Sequence, residues 1–295
     1  MSKPNAAATE ALCYPGHFVS IPSDRGTDRV WMDGFWAHGA KRQPTLILFL
    51  HGMHSNFYRS QLKKAFLTRS HARGCDVLTF NNRGAEQRVA HERFEDCLRD
   101  IDAVLTFARR QGYRRFVLAG HSTGCQKSVF YQARRQNPAI KGIVLLAPGD
   151  DYALARRAAG PRFDEWVQRA RDWVAQGRGD DVMRPKGCLG FSARRYLSVA
   201  DPRRNEAKVF DYDGRLHHFR QVRTPMLLLF GSEEEYACIP VPEMHARLRQ
   251  TTRSRRFHDV IIPGGDHSFH GVESEAADVA LEWIASLAPK PRPRR

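Results

Sequence analysis

A serine flanked by two glycines is the residue in this chain most suited to chemistry. Ser122 lies at the centre of residues 120–124, Gly-His-Ser-Thr-Gly, which fit the pattern Gly-x-Ser-x-Gly. A short apolar run, 116–119, precedes it, and a segment compatible with a helix follows from Cys125. A serine on a sharp turn from strand to helix projects its hydroxyl above the sheet, beside the positive end of the helix. We therefore interpret Ser122 as a nucleophile and Cys125 as a small buried residue of the helix.

A serine hydroxyl needs a neighbouring base to become a nucleophile at neutral pH. Functional groups in open α/β sheets gather at the carboxyl ends of strands, which narrows the choice among 13 histidines. His267 follows the last predicted strand, 258–262, and the preceding Gly-Gly pair permits a tight turn. We predict His267 as the base, with His270 as its main competitor and the pair His217 and His218 on the surface or in a lid.

A carboxylate must orient that base. The predicted strand 226–230 ends at Gly231, and Glu234 follows three residues later. We assign Glu234 the orienting role, and the order Ser, acid, His along the chain agrees with the nucleophile-elbow architecture. Four other carboxylates stay open as alternatives: Glu233, Glu235, Asp150 and Asp151.

Attack on a carbonyl creates an oxyanion, which needs hydrogen-bond donors. One is expected to be the backbone N–H of Thr123, directly after the nucleophile. The second is expected from Met53, in the loop after the predicted strand 46–50, because the preceding Gly52 allows the backbone to bend. His54 and Ser55, in the same loop, are candidates for side-chain contacts with substrate. This chemistry needs no metal and no organic cofactor.

Strands and helices alternate along most of the chain. An antiparallel hairpin is predicted over 16–39, around an Asp-Arg-Gly turn. Buried strands and helices then alternate at a spacing of about 30 residues, which indicates a doubly wound, mainly parallel sheet. The predicted strands are 45–50, 75–80, 115–119, 141–147, 225–231 and 258–262. The predicted helices are 55–73, 92–111, 125–136, 243–249 and a last one that carries Val272 to Leu287.

The alternation stops after residue 150. Within 151–222, apolar residues recur at helical spacing, among them Trp166 and Trp173, so we predict a mostly helical lid or cap insertion over the carboxyl edge of the sheet. Trp166 and Tyr196 are candidate pocket residues. The predicted organisation is a loose N-terminal arm at 1–15, a core at 16–150 and 223–288, the lid at 151–222 and a disordered basic tail at 289–295.

Composition limits the classes of partner. The 47 Lys and Arg against 32 Asp and Glu give a net charge of +15, but the arginines are scattered in pairs and form no nucleic-acid-binding motif. No apolar run approaches the roughly 20 residues that span a bilayer. The start of the chain lacks the pattern of a secretory signal, and the six cysteines form no metal motif. We expect a cytoplasmic enzyme with a small-molecule substrate, without a specific nucleic-acid or membrane partner.

Five motifs in order along the chain resemble the α/β-hydrolase superfamily, over about residues 16 to 288. They are His51-Gly52, Asn82-Arg83-Gly84, the 120–124 turn, Gly231-x-x-Glu234 and Gly265-x-His267. The runs 49–53, 120–127, 145–151, 192–198 and 231–236 resemble more closely a subgroup that includes fungal siderophore-ester hydrolases. The pattern of that subgroup has Asp where this chain has Glu234.

The resemblance implies a serine hydrolase that cleaves a carboxylic ester, thioester or amide through an acyl-enzyme. Ser122 would attack, His267 would move the proton and Glu234 would hold the imidazolium, with the Met53 and Thr123 amides on the oxyanion. An alternative is an acyltransferase, cyclase or thioesterase that passes the same acyl group to an acceptor other than water. A third hypothesis is a binding protein that uses only its basic surface.

Overall fold

The computed structural model describes residues 12–23, 30–39, 43–184 and 190–288. Its strands are β1 (Gly16–Ser23), β2 (Val30–Ala37), β3 (Thr45–Leu50), β4 (Asp76–Phe80), β5 (Arg115–His121), β6 (Ile140–Leu146), β7 (Val182–Met183), β8 (Phe191–Ser192), β9 (Met226–Gly231) and β10 (Phe257–Ile262). Eight of them form one sheet in the order β1-β2-β4-β3-β5-β6-β9-β10. The two-residue strands β7 and β8 pair with each other.

The large sheet is mainly parallel. β1 pairs with β2 and β2 with β4 in antiparallel register, and every other pair is parallel. The strands in the middle, such as β4 and β9, are buried along their whole length, as expected of strands covered on both faces. The predicted sheet is confirmed, with its opening hairpin. The Asp-Arg-Gly turn of that hairpin lies outside the described residues.

Helices cover both faces of the sheet. They are α1 (Gln61–Ala72), α2 (Cys97–Arg110), α3 (Thr123–Arg135), α4 (Asp151–Ala159), α5 (Phe163–Ala175), α6 (Ala193–Ala200), α7 (Val241–Thr251) and α8 (Glu273–Ala285). α2 buries Ile101, Leu105 and Ala108 along one stripe. None of the helices in the described ranges combines the length and apolar character needed to cross a membrane.

Two helices begin later than the sequence pattern predicts, because polar groups hold the preceding residues in turns. α1 begins at Gln61 because the Ser55 amide donates to the Gly52 carbonyl at 3.2 Å and Asn56 Oδ1 accepts the Arg59 amide at 2.8 Å. α2 begins at Cys97, after two 3₁₀ turns. Glu92, where that helix was predicted to begin, instead turns its side chain inward, onto a buried ion pair.

The segment 151–222 supplies most of a second hydrophobic cluster, which also includes Val89. Phe163 and Val167 of α5 pack there with Tyr196 and Leu197 of α6, and Trp166 lies partly buried against them. The division of the chain into arm, core, lid and tail stays a prediction, and residues 1–11 and 289–295 of the arm and tail lie outside the described residues.

Candidate active site

Ser122 occupies a strained turn between β5 and α3. Its φ of 53° and ψ of −126° are outside the range that residues with a side chain normally adopt. The flanking glycines make the turn possible, because a Cβ at Gly124 would lie 2.2 Å from the Leu50 carbonyl oxygen and one at Gly120 would lie 2.4 Å from the Gly124 carbonyl carbon. The Ser122 amide donates to the Leu146 carbonyl at 2.9 Å, which fixes the turn against β6.

The two amides expected at the oxyanion border the same cavity as Ser122. Thr123 is the first residue of α3, so its N–H has no partner within the helix. The loop after β3 passes close to the nucleophile, since a Cβ at Gly52 would lie 2.8 Å from Ser122 Cβ. Within the described residues, neither the Met53 amide nor the Thr123 amide donates a hydrogen bond. Both are therefore available to a ligand in the cavity.

His267 and Glu234 are in direct contact. His267 Nδ1 lies 2.7 Å from Glu234 Oε1, and the two side chains are 12% and 2% exposed. When Nδ1–H donates its hydrogen bond to this carboxylate, Nε2 carries no proton and can accept one. Oε1 of Glu234 also accepts the Tyr236 amide at 3.1 Å, whereas buried Oε2 has no partner among the described residues.

The other carboxylates have different positions. Glu233 is exposed, and Glu235 Oε2 accepts the backbone N–H of His267 at 2.8 Å. Asp150 caps α4, accepting the Ala153 amide at 2.9 Å. Asp151 accepts a hydrogen bond from Gln126 and faces the cavity. Of the five candidate carboxylates, Glu234 is therefore the one that contacts Nδ1 of the His267 imidazole.

The remaining candidate histidines lie elsewhere. His270 is exposed and binds Asp266 Oδ2 at 2.7 Å, and this carboxylate raises the pKa of His270. His217 is exposed, but His218 is buried with its ring edge-on to Phe130. The buried position of His218 was not expected from the sequence.

His121 supports the loop of the base, a role that the sequence analysis did not assign. Its Nε2 donates to the backbone carbonyl of His267 at 2.8 Å, and the two rings are 5.2 Å apart. Burial, reinforced by His267, lowers the pKa of His121 to about 3, so this ring is neutral at pH 7. The position of His121 at the end of β5, directly before Ser122, is the sequence feature from which a role near the site could have been predicted.

His51 shapes the loop that carries Met53. Its Nδ1 lies 2.7 Å from the Gly52 carbonyl, and its Nε2 accepts the Asn82 amide at 3.3 Å. Burial, with a contribution from Lys127, lowers the pKa of His51 well below its usual range. A neutral ring that donates from Nδ1 and accepts at Nε2 satisfies both bonds.

Ser122 and His267 line one cavity of about 480 Å³. Among the described residues, no hydrogen bond joins Ser122 Oγ to His267, a bond that often forms only when substrate binds. Leu154 and Ala158 of α4 form part of the opposite wall. Phe191, Tyr196 and Val199 extend it, so the segment 151–222 contributes part of the wall of the cavity that contains the nucleophile.

The predicted pocket residues divide into two groups. Ser55 and Tyr196 line the cavity, and Lys63 Nζ donates to Ser55 Oγ at 3.0 Å. His54 and Trp166 are not among the described residues that line it. The side chain of Trp166 packs beside the Arg162 and Arg169 guanidinium groups, 5.4 and 5.3 Å from its ring.

Comparisons with known proteins support one family. The sequence matches the family model described as the alpha/beta hydrolase family over residues 47–282. A protein of Schizosaccharomyces pombe from the family UPF0613 is 26% identical over 199 residues, which are 58% of this chain. The matched region spans 61% of the length of that relative.

Solved structures share the fold. The siderophore hydrolase EstB from Aspergillus fumigatus superposes with a TM-score of 0.71 at 17% identity, over 92% of this chain and 98% of that one. Est1E from Butyrivibrio proteoclasticus superposes with a TM-score of 0.66 at 18% identity, over 91% and 98% of the two chains. Because the family model covers most of the sequence and the sheet has the topology that the motifs predict, this protein belongs to the alpha/beta hydrolase family.

Proposed function

We propose that this protein is a serine hydrolase that cleaves a carboxylic ester, thioester or amide of a small to medium-sized substrate. One observation carries the proposal. The strained Ser122 shares a cavity with His267, and the Nδ1 of His267 is held by the buried carboxylate of Glu234. A nucleophile, a base and an orienting acid are the three groups that acyl transfer requires.

The acylation step follows from the arrangement of these three groups. Ser122 Oγ attacks the carbonyl carbon of the substrate while its proton moves to His267 Nε2. The resulting oxyanion accepts hydrogen bonds from the Met53 and Thr123 amides, aided by the positive end of α3. When the tetrahedral intermediate collapses, the bond to the leaving oxygen, sulfur or nitrogen breaks and His267 returns the proton to the leaving group.

Deacylation repeats the sequence with water. His267 takes a proton from the water that attacks the acyl-enzyme, and the collapse of the second intermediate restores Ser122 Oγ–H and releases the acid. Glu234 stabilises the imidazolium in both steps without taking its proton. The role of the segment 151–222 is that of a lid, which limits the water that reaches the acyl group.

The surroundings of the site support an ester of moderate size. A volume of about 480 Å³ is within the range of pockets for small molecules. EstB from Aspergillus fumigatus, named as a siderophore hydrolase, has the same fold over nearly its whole length. Est1E, also solved with ferulic acid bound, is a second such structure.

Hydrolysis of p-nitrophenyl butyrate by purified protein tests the proposal. We expect steady release of p-nitrophenol that falls at least about 10³-fold in Ser122→Ala. Equal rates for the wild type and folded Ser122→Ala would refute it. Adding an amine or alcohol acceptor separates the reactions, because hydrolysis gives butyrate alone and acyl transfer gives the butyramide or the new ester.

A further inference from the structure

Four charged side chains are buried together behind the cavity, and we refer to Glu92, Lys127, Arg195 and Glu206 as the buried charge cluster. Lys127 Nζ lies 2.5 Å from Glu92 Oε1. Arg195 binds Glu206 through both terminal nitrogens, and its Nη2 lies 3.7 Å from Glu92 Oε2. Each of the four side chains is at most 4% exposed.

The charges of this cluster balance. Two cations, Lys127 and Arg195, face two carboxylates, Glu92 and Glu206. Burial alone would lower the pKa of Arg195, but the carboxylates of Glu206 and Glu92 together outweigh it and raise that pKa, so the charge persists. The two positive charges are thus paired with the two carboxylates of the cluster itself. Proteins tolerate buried ions when they are paired in this way.

Asp151 adds one further carboxylate, which forms no ion pair with a cation in the described part of the chain. It is the first residue of α4 and lines the cavity with Ser122 and His267. Its Oδ2 accepts Gln126 Nε2 at 2.9 Å, and no described residue donates to Oδ1 or forms an ion pair with it. Burial, and then repulsion from Glu206, raises the pKa of Asp151 well above its usual range, against the attraction of Arg195.

The other charged groups near the cavity do not neutralise this carboxylate. Arg157 also lines the cavity, but it is at an exposed position, where its guanidinium donates to the Ala237 carbonyl at 3.0 Å and forms no ion pair with Asp151 among the described residues. Lys63 binds Ser55, and burial lowers the pKa of Lys63 to about 7. Asp150, beside Asp151, adds negative charge. The amino end of α4 supplies only a partial positive charge, on the order of half a unit.

We propose that Asp151 binds a positively charged nitrogen, as in a protonated primary amine, on the substrate of the reaction at Ser122. The proposal rests on the function proposed above and deepens it by naming a substrate class. A carboxylate at the wall of a cavity, without an ion-pair partner among the described residues, is unfavourable once a substrate displaces solvent from it, and an ammonium group supplies both the missing charge and a donor for Oδ1.

Gln126 gives this site its orientation. Its amide nitrogen donates to both Asp151 Oδ2 and the Gly149 carbonyl, each at 2.9 Å, so the protein itself holds one carboxylate oxygen in place. The other oxygen, Oδ1, accepts no hydrogen bond from the described residues, and Asp151 lines the cavity. The side chain of Gln126 is buried and belongs to α3, the helix that begins directly after Ser122. The cation site is therefore held in fixed geometry relative to the nucleophile.

Pairs of esters that differ only in charge test the proposal. On the acyl side the pair is ethyl 6-aminohexanoate and ethyl heptanoate, and on the alcohol side it is 6-aminohexyl butyrate and heptyl butyrate. In each pair an ammonium group replaces a methyl group of similar size. The kcat/KM of each ester is measured with the wild type and with Asp151→Asn, which keeps an oxygen for Gln126 but has no charge.

We expect the wild type to prefer the amino ester in at least one pair. In that pair Asp151→Asn lowers kcat/KM for the amino ester on the order of 100-fold and leaves the alkyl ester within about threefold. Equal losses on both members, or no preference in either pair, would overturn the assignment. Absence of hydrolysis of all four esters and of p-nitrophenyl butyrate would instead count against the proposed function itself.

Two controls keep the test decisive. Glu165→Gln, at an exposed position on α5, removes the same charge away from the cavity and should leave the amino-ester preference unchanged. If Asp151→Asn does not fold, inhibition of the wild type serves instead. Hexylammonium should then compete with p-nitrophenyl butyrate at a concentration at least tenfold lower than hexan-1-ol, and equal potency would overturn the proposal.

Discussion

Three adjacent glutamates have three different surroundings at the end of β9. Glu234 is buried with its carboxylate on His267 Nδ1, Glu235 accepts the His267 backbone amide, and Glu233 is exposed. Each therefore affects the base differently. A charge on Glu234 fixes the tautomer of the ring, whereas Glu235 fixes only the path of the backbone.

Glu234→Gln should lower kcat for p-nitrophenyl butyrate by about 10³- to 10⁴-fold, because an amide does not stabilise the imidazolium and favours the wrong tautomer. KM should change by less than about threefold. Glu233→Gln is the matched control and should retain activity within about twofold. Steady-state kinetics of the two variants make the comparison, and a larger loss in Glu233→Gln than in Glu234→Gln would reject our assignment.

The sequence pattern was sufficient to choose the nucleophile and the base, but it did not predict which side chains contact them. Ser122 and His267 were predicted from the rule that strand ends in a parallel sheet meet at one edge. The choice among the glutamates depended on the turn after Gly231, where the Tyr236 amide returns to Glu234 at 3.1 Å. A contact of this kind between backbone and side chain produces no periodic pattern in the sequence. The sequence therefore did not decide which carboxylate orients the base. The same applies to the role of His121.

At the scale of elements, the nucleophile turn depends on the close approach of α3 to β3. The first turn of α3 touches the end of β3 at Gly124, where a Cβ would meet the Leu50 carbonyl oxygen at 2.2 Å. Backbone atoms cannot move aside as a flexible side chain does. The glycine therefore sets the distance between helix and strand.

Gly124→Ala should lower the free energy of unfolding by about 3 kcal/mol or more, through overpacking. Urea denaturation followed by circular dichroism measures the change. Gly149→Ala is the control for stability, because its Cβ would lie at an ordinary 3.5 Å from Leu154 Cδ1. A change in Gly124→Ala no larger than in this control would contradict the packing argument.

The buried charge cluster joins α6 to the preceding and following turns. Arg195→Met leaves Glu206 buried without its cation and should cost about 3–5 kcal/mol of unfolding free energy. Adding Glu206→Leu in the double variant should recover at least half of the loss. The neighbouring Arg194→Met, at a half-exposed ion pair, should change stability by less than about 0.5 kcal/mol. Chemical denaturation of the three variants checks the order, and equal losses in Arg194→Met and Arg195→Met would contradict it.

Helices and strands could be predicted where the spacing of apolar residues alone determines them. The strands and the parallel topology follow from apolar runs at regular spacing, and they are confirmed. The early parts of the predicted helices 55–73 and 92–111 were wrong. In the first, Asn56 holds a turn, and in the second, Glu92 pairs with Lys127, which is distant in sequence. Long-range ion pairs of this type are not visible in a local pattern.

At the scale of the whole molecule, buried neutral histidines link stability to pH. Burial lowers the pKa of His218 to about 4 and that of His121 to about 3, from 6.5. Below pH 6.5 these two histidines bind protons in the unfolded chain but stay neutral in the folded protein. The free energy of unfolding therefore falls as the pH decreases from about 6.5 to about 4, by up to about 3 kcal/mol for His218.

His218→Phe should flatten this dependence, because a phenyl ring takes up no proton and keeps the contact with Phe130. The measured quantity is the difference in unfolding free energy between pH 7 and pH 4.5, which cancels any constant effect of repacking. It should shrink by about 2–3 kcal/mol relative to the wild type. His217→Phe, at the exposed neighbour, should leave the difference unchanged. An unchanged difference in His218→Phe would show that this ring is not the group responsible.

The most direct test of the central claim is labelling with a fluorophosphonate, which reacts with a serine only when a base and an oxyanion site activate it. Intact mass and peptide mapping report where the label is. We predict one label per chain, on Ser122, with loss of labelling in Ser122→Ala and at least about a 100-fold lower rate in His267→Ala. A folded protein that hydrolyses esters but stays unlabelled at Ser122, or carries the label on another residue, would contradict the account.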